Sequence, residues 1–379
     1  MNLATRSGSD TQREIWQQPS IWRNTAERVM ASSGRLKELL DGCGAVVLTG
    51  SGSSQFAGEC VDAALEEQLG HPVRTVGGGA LLTHGALALP PLRPLLLVSL
   101  ARSGDSPESA GAVELLLREE QHVRHLILTC NREGRLARLL RQEPRAGVVV
   151  LDKRTNDRSL VMTSSFTNLV LAARALGWLA DPAGFHAMAA ALSRAGSSIL
   201  ENAEQLKLVA AWRSRRAVFL GSHCRFGAAR EAALKTLEMT NGRVMTAADT
   251  FLGLRHGPMC AIDERTLVVC FLSNDATARA YECDLIQELN RKHLGRKLLV
   301  GTRVPAGLAA EGDAVFETGE AGAVNDNDAP VLDALVGQLL GYFRCLEEGL
   351  WPDAPSKDGV INRVVENFRL HTKVEDGEW

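Results

Sequence analysis

The chain has 379 residues, of which 45% are hydrophobic and 23% are charged, so it is long enough for two globular domains with complete cores. Its formal net charge of −3, without a basic block, argues against nucleic acid or an anionic membrane as a partner. Eight cysteines without a C-x-x-C pair, no signal peptide and no membrane-spanning run predict a cytoplasmic protein with core cysteines and no metal site.

The chain carries one pattern twice. A hydrophobic run at residues 45–49 ends in a glycine turn at Gly50, and a second run at residues 217–220 ends in a similar turn at Gly221. Further aliphatic runs pair up along the chain: 95–100 with 266–271, 125–129 with 296–300, and 147–150 with 313–316. Short apolar runs separated by helical patterns are typical of parallel strands buried on both faces. The pattern predicts two tandem doubly wound α/β domains with flavodoxin-like α/β/α layers, and ligands beyond the carboxyl ends of the strands.

The predicted organisation has five parts. They are an N-terminal helical segment (residues 1–44), a first domain (45–186), a helical linker (187–213), a second domain (214–350) and a C-terminal tail (351–379). The duplication favours a ligand site shared between the two halves.

The first glycine turn is rich in hydroxyl groups, with Ser51, Ser53 and Ser54 following the strand. Glycines let the backbone approach a ligand closely, and the hydroxyls could bind a phosphate or a sugar. A tight turn with capping serines explains the same residues. The dinucleotide-binding fingerprint is not matched, because its third glycine is missing at the required spacing.

A second hydroxyl turn, Ser103-Gly104-Asp105-Ser106-Pro107, follows the run at residues 95–100. Proline is favoured at the first helical position and serine just before it, so a helix begins here and directs free N–H groups beyond the strand. A phosphate fits such a helix start, although Ser106 could simply cap the helix. Thr163 and Ser164 form a third cluster at the start of a helix over residues 166–179, where capping is the simpler explanation.

Three charged residues, Glu231, Lys235 and Glu238, share one helical face at spacings of four and three. Such a stripe is commonly a solvated set of ion pairs. Its helix follows the second glycine turn, where a carboxylate is more useful than on an outer surface. His256 lies nearby in a glycine–proline turn, which makes it a candidate for proton transfer.

These motifs resemble the sugar isomerase (SIS) domain family, which binds phosphosugars. The hydroxyl turn at residues 103–109, the charged helix at 231–238 and Arg255-His256-Gly257-Pro258 are similar to its phosphate loop, base helix and ring-opening turn. The whole chain resembles the galactosamine-6-phosphate deaminase/isomerase group, also called tagatose-6-phosphate ketose/aldose isomerases. Residues 13–19, 161–165, 253–258 and 359–365 carry this narrower resemblance from end to end.

The resemblance implies a role for each candidate residue. Glu238 is the base that moves a proton between C1 and C2, His256 is the ring-opening acid/base that reaches the site from a neighbouring subunit, and Lys235 is a further site lysine. The substrate-binding candidates are Ser51, Ser53, Ser54, Ser103, Gly104, Ser106, Thr163, Ser164, Asn362 and Arg363. The chain departs from the related amino-sugar synthase pattern at Ala101 and Gly253.

The sequence therefore predicts an enzyme without metal or cofactor, a homodimer or higher oligomer with its active site at a subunit interface. Its reaction would convert an amino-sugar 6-phosphate, D-galactosamine 6-phosphate, to D-tagatose 6-phosphate and ammonium. The alternatives are a plain aldose–ketose isomerase, a deglycase for phosphosugar–amine adducts, and a sugar-phosphate sensor without turnover. The C4 epimer that the protein prefers is not encoded in any motif.

Overall fold

The computed structural model describes residues 9–319, 322–356, 359–365 and 368–371. Three helices come first: α1 (Asp10–Trp16), α2 (Gln18–Met30) and α3 (Ser33–Leu40). Helix α2 buries one face, including Ile21, Trp22 and Val29, against the later helices, since its apolar residues recur at helical spacing.

The first half is a parallel five-stranded sheet with helices on both faces. In chain order its elements are β1 (Ala45–Gly50), α4 (Ser53–Glu59), α5 (Asp62–Leu69), β2 (Val73–Gly77), α6 (Gly78–His84), β3 (Leu95–Ala101), α7 (Pro107–Glu119), β4 (Val123–Thr129), α8 (Arg135–Leu139), β5 (Ala146–Val150) and α9 (Ser164–Arg174). The strand order is β2-β1-β3-β4-β5.

Two helices join the halves, α10 (Pro182–Glu201) and α11 (Ala203–Ala210). The predicted boundary after residue 186 falls inside α10, which begins at Pro182 with Asp181 as its N-cap. Helix α10 packs along α2, and Phe185, Leu192 and Ile199 are buried. Helices α2 and α10 are therefore part of the hydrophobic core.

The second half repeats the topology. Its elements are β6 (Arg216–Gly221), α12 (Cys224–Met239), β7 (Met245–Asp249), β8 (Thr266–Phe271), α13 (Ala276–Arg291), β9 (Arg296–Gly301), β10 (Ala314–Glu317) and α14 (Pro330–Glu347). All strands are parallel in the order β10-β9-β8-β6-β7. The predicted fold class is confirmed, and the strands that the aliphatic runs did not indicate are β2 and β7, whose residues are only partly buried.

Helix α12 connects the two halves. It packs on α14 in its own half and on α4 in the first half. The contact with α4 is close because α12 has a glycine there: a Cβ on Gly227 would lie 2.6 Å from the backbone nitrogen of Cys60. The C-terminal part of α12 is thereby brought to the first sheet.

The described cysteines are free thiols, and six of the eight are buried as predicted for core residues; Cys283 is half-buried and Cys260 is exposed. Across the described ranges, no helix is long and apolar enough to cross a membrane.

Candidate active site

A cavity of about 230 Å³ lies at the carboxyl ends of β1 and β3. Its walls are the two hydroxyl turns of the first half, the C-terminal part of α12, and residues 361–365 of the tail. Most of the predicted site residues line it: Ser51, Ser53, Ser54, Ser103, Gly104, Ser106, Lys235, Glu238, Asn362 and Arg363. Residues from three distant parts of the chain thus meet in one place.

The first turn follows β1 and leads into α4. Gly52 has φ +57°, a left-handed conformation that favours glycine, and it stands at the N-cap position of α4 without a capping side chain. The Ser53 and Ser54 side chains make no cap either, and the Ser51 hydroxyl lies 3.3 Å from that of Ser109. Ser54 Oγ also lies 3.8 Å from Met162 Sδ, and since no side chain caps α4, a purely capping role does not explain these serines.

The second turn follows β3 and leads into α7. The backbone N–H of Asp105 donates to Ser103 Oγ at 3.2 Å, and Asn131 holds the Ser103 carbonyl at 2.9 Å. Ser106 occupies the N-cap position of α7, but its hydroxyl makes no capping hydrogen bond. The start of a 13-residue helix, with its free N–H groups and the positive end of its dipole, lies at the cavity wall.

The third hydroxyl cluster does not reach the cavity. Thr163 and Ser164 are fully buried, and both donate their backbone N–H to the carboxylate of Asp157, at 2.8 and 3.0 Å. Thr163 Oγ1 also donates to Asp157, at 3.1 Å. Thr163 and Ser164 thus take part in the capping of the start of α9 by Asp157. Their positions do not support direct contact with a ligand in the cavity.

The charged face of α12 is buried. Lys235 is 1% exposed, and its ammonium contacts Glu238 Oε2 and lies 3.5 Å from Glu231 Oε1. The Glu238 side chain is 25% exposed and opens to the cavity. Burial opposes the charge on Lys235, but the two carboxylates outweigh it and raise the Lys235 pKa above its ordinary value. This set is not the solvated stripe that the spacing alone also allowed.

Glu231 lies beneath the cavity and is completely buried. The Lys235 ammonium lies 3.5 Å from its Oε1, and hydrogen bonds from Ser53 and Lys235 favour its ionised form. Burial raises its pKa to about 8, with Lys235 acting in the opposite direction. Burial thus favours the protonated form of Glu231, which lies behind the ion pair of Lys235 and Glu238.

The site uses the far end of α12. As the sequence indicated, this helix begins after the second glycine turn. Glu238 lies near its other end, one residue before Met239, and the cavity lies at the carboxyl ends of the strands of the first half. The second half contributes the charged end of a helix, and not the carboxyl ends of its own strands.

Arg102 is a cavity residue that the sequence analysis missed. It is 8% exposed, and its guanidinium donates to the carbonyls of Leu160 at 3.0 Å and Arg363 at 2.7 Å. It forms no salt bridge within the described part of the chain, and burial lowers its pKa. Its position between the strand end and Ser103 was the available signal. A buried cation without an acidic partner is a suitable contact for an anionic ligand.

The tail closes one side of the cavity. Asn362 and Arg363 line it, but the Arg363 guanidinium is directed to the carbonyl of Asp157 at 2.9 Å and to Asn156 Oδ1 at 2.7 Å. The side chain of Arg363 thus fastens the tail to the loop before α9.

His256 does not line the cavity of its own chain. It ends a short 3-10 helix, Gly253–His256, after β7, and its side chain is exposed. The next residue, Gly257, has φ +131°. Arg255 beside it pairs with Glu288 at 2.8 Å, which fixes the turn on the surface of the second half.

Comparison with known proteins shows the family and supports the fold. A Streptomyces coelicolor protein, provisionally named D-galactosamine-6-phosphate deaminase AgaS, is 39% identical over 97% of this chain and 96% of its own length. The D-galactosamine-6-phosphate deaminase AgaS of Escherichia coli O157:H7 is 32% identical over 97% of each chain. The chain belongs to the AgaS family.

A solved structure from Clostridium novyi NT, provisionally named a tagatose-6-phosphate ketose/aldose isomerase, has a TM-score of 0.91 and 33% identity, covering 98% of this chain and 97% of that one. No protein-family model matches the chain. The predicted resemblance to sugar isomerase domain proteins and to the deaminase group is confirmed by these likenesses.

Proposed function

We propose that this AgaS-family protein is an amino-sugar-phosphate deaminase that converts D-galactosamine 6-phosphate and water to D-tagatose 6-phosphate and ammonium. The observation that carries the proposal is that the Glu238 carboxylate and the Ser103–Ser106 turn face one cavity. A base and an anion-binding turn at one site are what proton transfer on a phosphosugar requires. The names of the AgaS relatives supply the substrate and the reaction.

The phosphate would bind at the start of α7. Ser103 and Ser106 offer hydroxyls, the helix start offers N–H groups, and Arg102 offers a buried positive charge. These groups are remote from the reacting carbons, so their binding energy holds the open-chain sugar in place against the base.

The chemistry would proceed on the other side of the cavity. Glu238 takes the C2 proton of the open-chain amino aldehyde and returns it at C1, which turns the enolamine into a C2 imine. Water then adds to the imine carbon, and ammonia leaves as the C2 carbonyl forms. Lys235 would stabilise negative charge developing on the C1 oxygen. The proposed steps involve no metal or organic cofactor.

His256 would open the pyranose ring from a neighbouring subunit. Its exposure on the second half, away from the cavity of its own chain, is consistent with this assignment. The proposal therefore includes at least a dimer, in which each active site contains residues of two subunits. It also includes a cytoplasmic location. Mixing Glu238→Gln chains with His256→Ala chains should restore part of the activity, because a mixed dimer has one intact site. No recovery after proven subunit exchange would contradict the assignment.

A plain aldose–ketose isomerase is the second candidate, favoured by the isomerase name of the Clostridium novyi structure. The same base could move a proton on a sugar without nitrogen whose phosphate is bound by the same serine turns. Ammonium release from galactosamine, glucosamine and N-acetylated 6-phosphates separates the two activities. Release from galactosamine 6-phosphate supports the deaminase. Interconversion of galactose and tagatose 6-phosphates with no ammonium release from any amino sugar would favour the isomerase.

A further inference from the structure

The second half contains a copy of the turn that follows β3. There, Asp275 donates its backbone N–H to Ser273 Oγ at 3.0 Å, just as Asp105 donates to Ser103 at 3.2 Å. Each turn joins the middle strand of its sheet, β3 or β8, to the next helix, α7 or α13. The second turn therefore also directs a hydroxyl and backbone N–H groups beyond the carboxyl end of a strand.

In the second half this turn is already filled by an anion, the carboxylate of Asp326. The N–H of Asn274 lies 2.9 Å from both Asp326 oxygens, and the N–H of Asp275 lies 3.3 Å from Oδ2. Ser273 Oγ also donates to Oδ2, and Arg225 approaches Oδ1 at 3.0 Å. Although burial acts against it, Arg225 and these hydrogen bonds lower the Asp326 pKa, so the carboxylate is the preferred form.

A second carboxylate fills the neighbouring glycine turn. Glu282 on α13 is 1% exposed; its Oε1 accepts from the Ser222 hydroxyl at 2.8 Å, and its Oε2 accepts from the Ser273 N–H at 2.8 Å. The turn itself matches its counterpart, because His223 has φ +54° where Gly52 has +57°. Both hydroxyl turns of the second half are thus satisfied from within the chain.

The first half lacks both carboxylates. Glu282 comes nine residues after Ser273, whereas the residue nine after Ser103 is Ala112, with Gly111 and Val113 beside it. Asp326 comes four residues before the start of α14, whereas Leu160 stands four before the start of α9 and lines the cavity. The same backbone therefore encloses an open cavity in one half and an ion-paired interior in the other.

We infer that the carboxyl groups of Asp326 and Glu282 occupy the second half's copy of the oxyanion-binding turns, so that each chain binds a single phosphosugar, in the first half. The inference depends on the proposed function only for the ligand of the first half. The ligand that these turns of the second half would bind, once the two carboxyl groups are removed, is a tetrahedral oxyanion such as inorganic phosphate. It also explains why the second half contributes the end of α12 to the site and not the turns at the carboxyl ends of its own strands.

The test counts inorganic phosphate bound per chain by isothermal titration calorimetry on the full-length protein. Wild type should bind one phosphate, and the Asp326→Ala/Glu282→Gln variant should bind one more. The matched control, Asp326→Asn/Glu282→Gln, should remain at the wild-type number, because the asparagine amide still fills the turn. A folded Ala/Gln variant without an additional phosphate would overturn the inference.

Two further readings keep the outcome decisive. Wild type should bind one phosphosugar per chain, and two would overturn the inference without any variant. If the double variant does not fold, Asp326→Ala alone should gain more thermal stability from phosphate than wild type does, and an equal gain would count against the inference. A wild type that binds no phosphate at all, with a variant that binds one, would instead refute the phosphate site of the proposed function.

Discussion

Replacing Glu238 by glutamine tests the proposed base most directly. Glutamine keeps the volume of the side chain and can still accept a hydrogen bond from Lys235, but it cannot take up the C2 proton. Removal of a placed general base costs about 10²–10⁴-fold in rate, which corresponds to about 2.7–5.4 kcal/mol in the activation free energy. We expect kcat of Glu238→Gln to fall within or beyond that range.

The fold should survive this change. The Glu238 side chain is 25% exposed, and Lys235 keeps Glu231 as a partner at 3.5 Å. Removing one partner of a fully buried ion pair costs about 3–5 kcal/mol, but Glu238 is partly exposed and Glu231 remains beside Lys235, so we expect a loss of about 1.5–3 kcal/mol, against about 5–15 kcal/mol for a whole domain. Binding of inorganic phosphate should also stay unchanged, because the serine turns are untouched.

The assay is ammonium release from galactosamine 6-phosphate, measured alongside the phosphate affinity of the same preparation. Glu201→Gln is the matched control, since it removes an exposed carboxylate from α10, outside the cavity. It should behave as wild type. A Glu238→Gln protein with kcat within threefold of wild type would refute the reasoning that places the base at this residue.

Three further results are expected. Ser103→Ala and Ser106→Ala should each raise KM by about 10- to 150-fold, with kcat much less affected, because a hydrogen bond to a charged group is worth about 1.5–3 kcal/mol. The control Ser164→Ala should leave KM unchanged. Equal effects at all three serines would argue against the phosphate site. Arg102→Gln should weaken inorganic phosphate binding at least tenfold, the effect of about 1.4 kcal/mol, measured by calorimetry, and unaltered affinity would remove Arg102 from the phosphate site. For Glu231, burial raises the folded-state pKa to about 8, far above its ordinary value of 4.5. The folded chain therefore keeps a proton that the unfolded chain has released, so stability falls as pH rises through this window, by on the order of 1.4 kcal/mol per pH unit at most. Denaturant titrations of Glu231→Gln should show a smaller fall between pH 5 and pH 8 than wild type, and parallel pH profiles would contradict the burial of this carboxyl.

The fold was largely predictable because its signal is local. Continuous aliphatic runs such as Leu95–Ala101 identify buried parallel strands, and their repetition identifies the two halves. Edge strands such as Met245–Asp249 were missed, since their exposed residues carry no apolar run. The predicted boundary at residue 186 falls within α10, because a buried helix that packs on both halves leaves no break in composition.

The site was predictable only in part. The serine turns have a local signature, a strand end followed by glycine and a helix start, and the sequence located them. Thr163 and Ser164 carry a similar signature, but Asp157 satisfies their backbone N–H groups. No local pattern reveals whether a distant carboxylate fills a turn, as Asp157 does for α9 and Asp326 does in the second half.

The amino-acid sequence by itself determined the repeated parallel α/β architecture, the hydroxyl turns and the three charges on one face of α12, since each depends on neighbours a few residues apart. Only the tertiary structure decided which turn is open, which end of α12 meets it and that Arg102 lies buried at the cavity wall. Those outcomes depend on contacts between residues more than a hundred positions apart, such as Gly227 against Cys60 and Arg102 against Arg363. The close packing of helices against sheets sets such contacts, and spacing along the chain does not encode them.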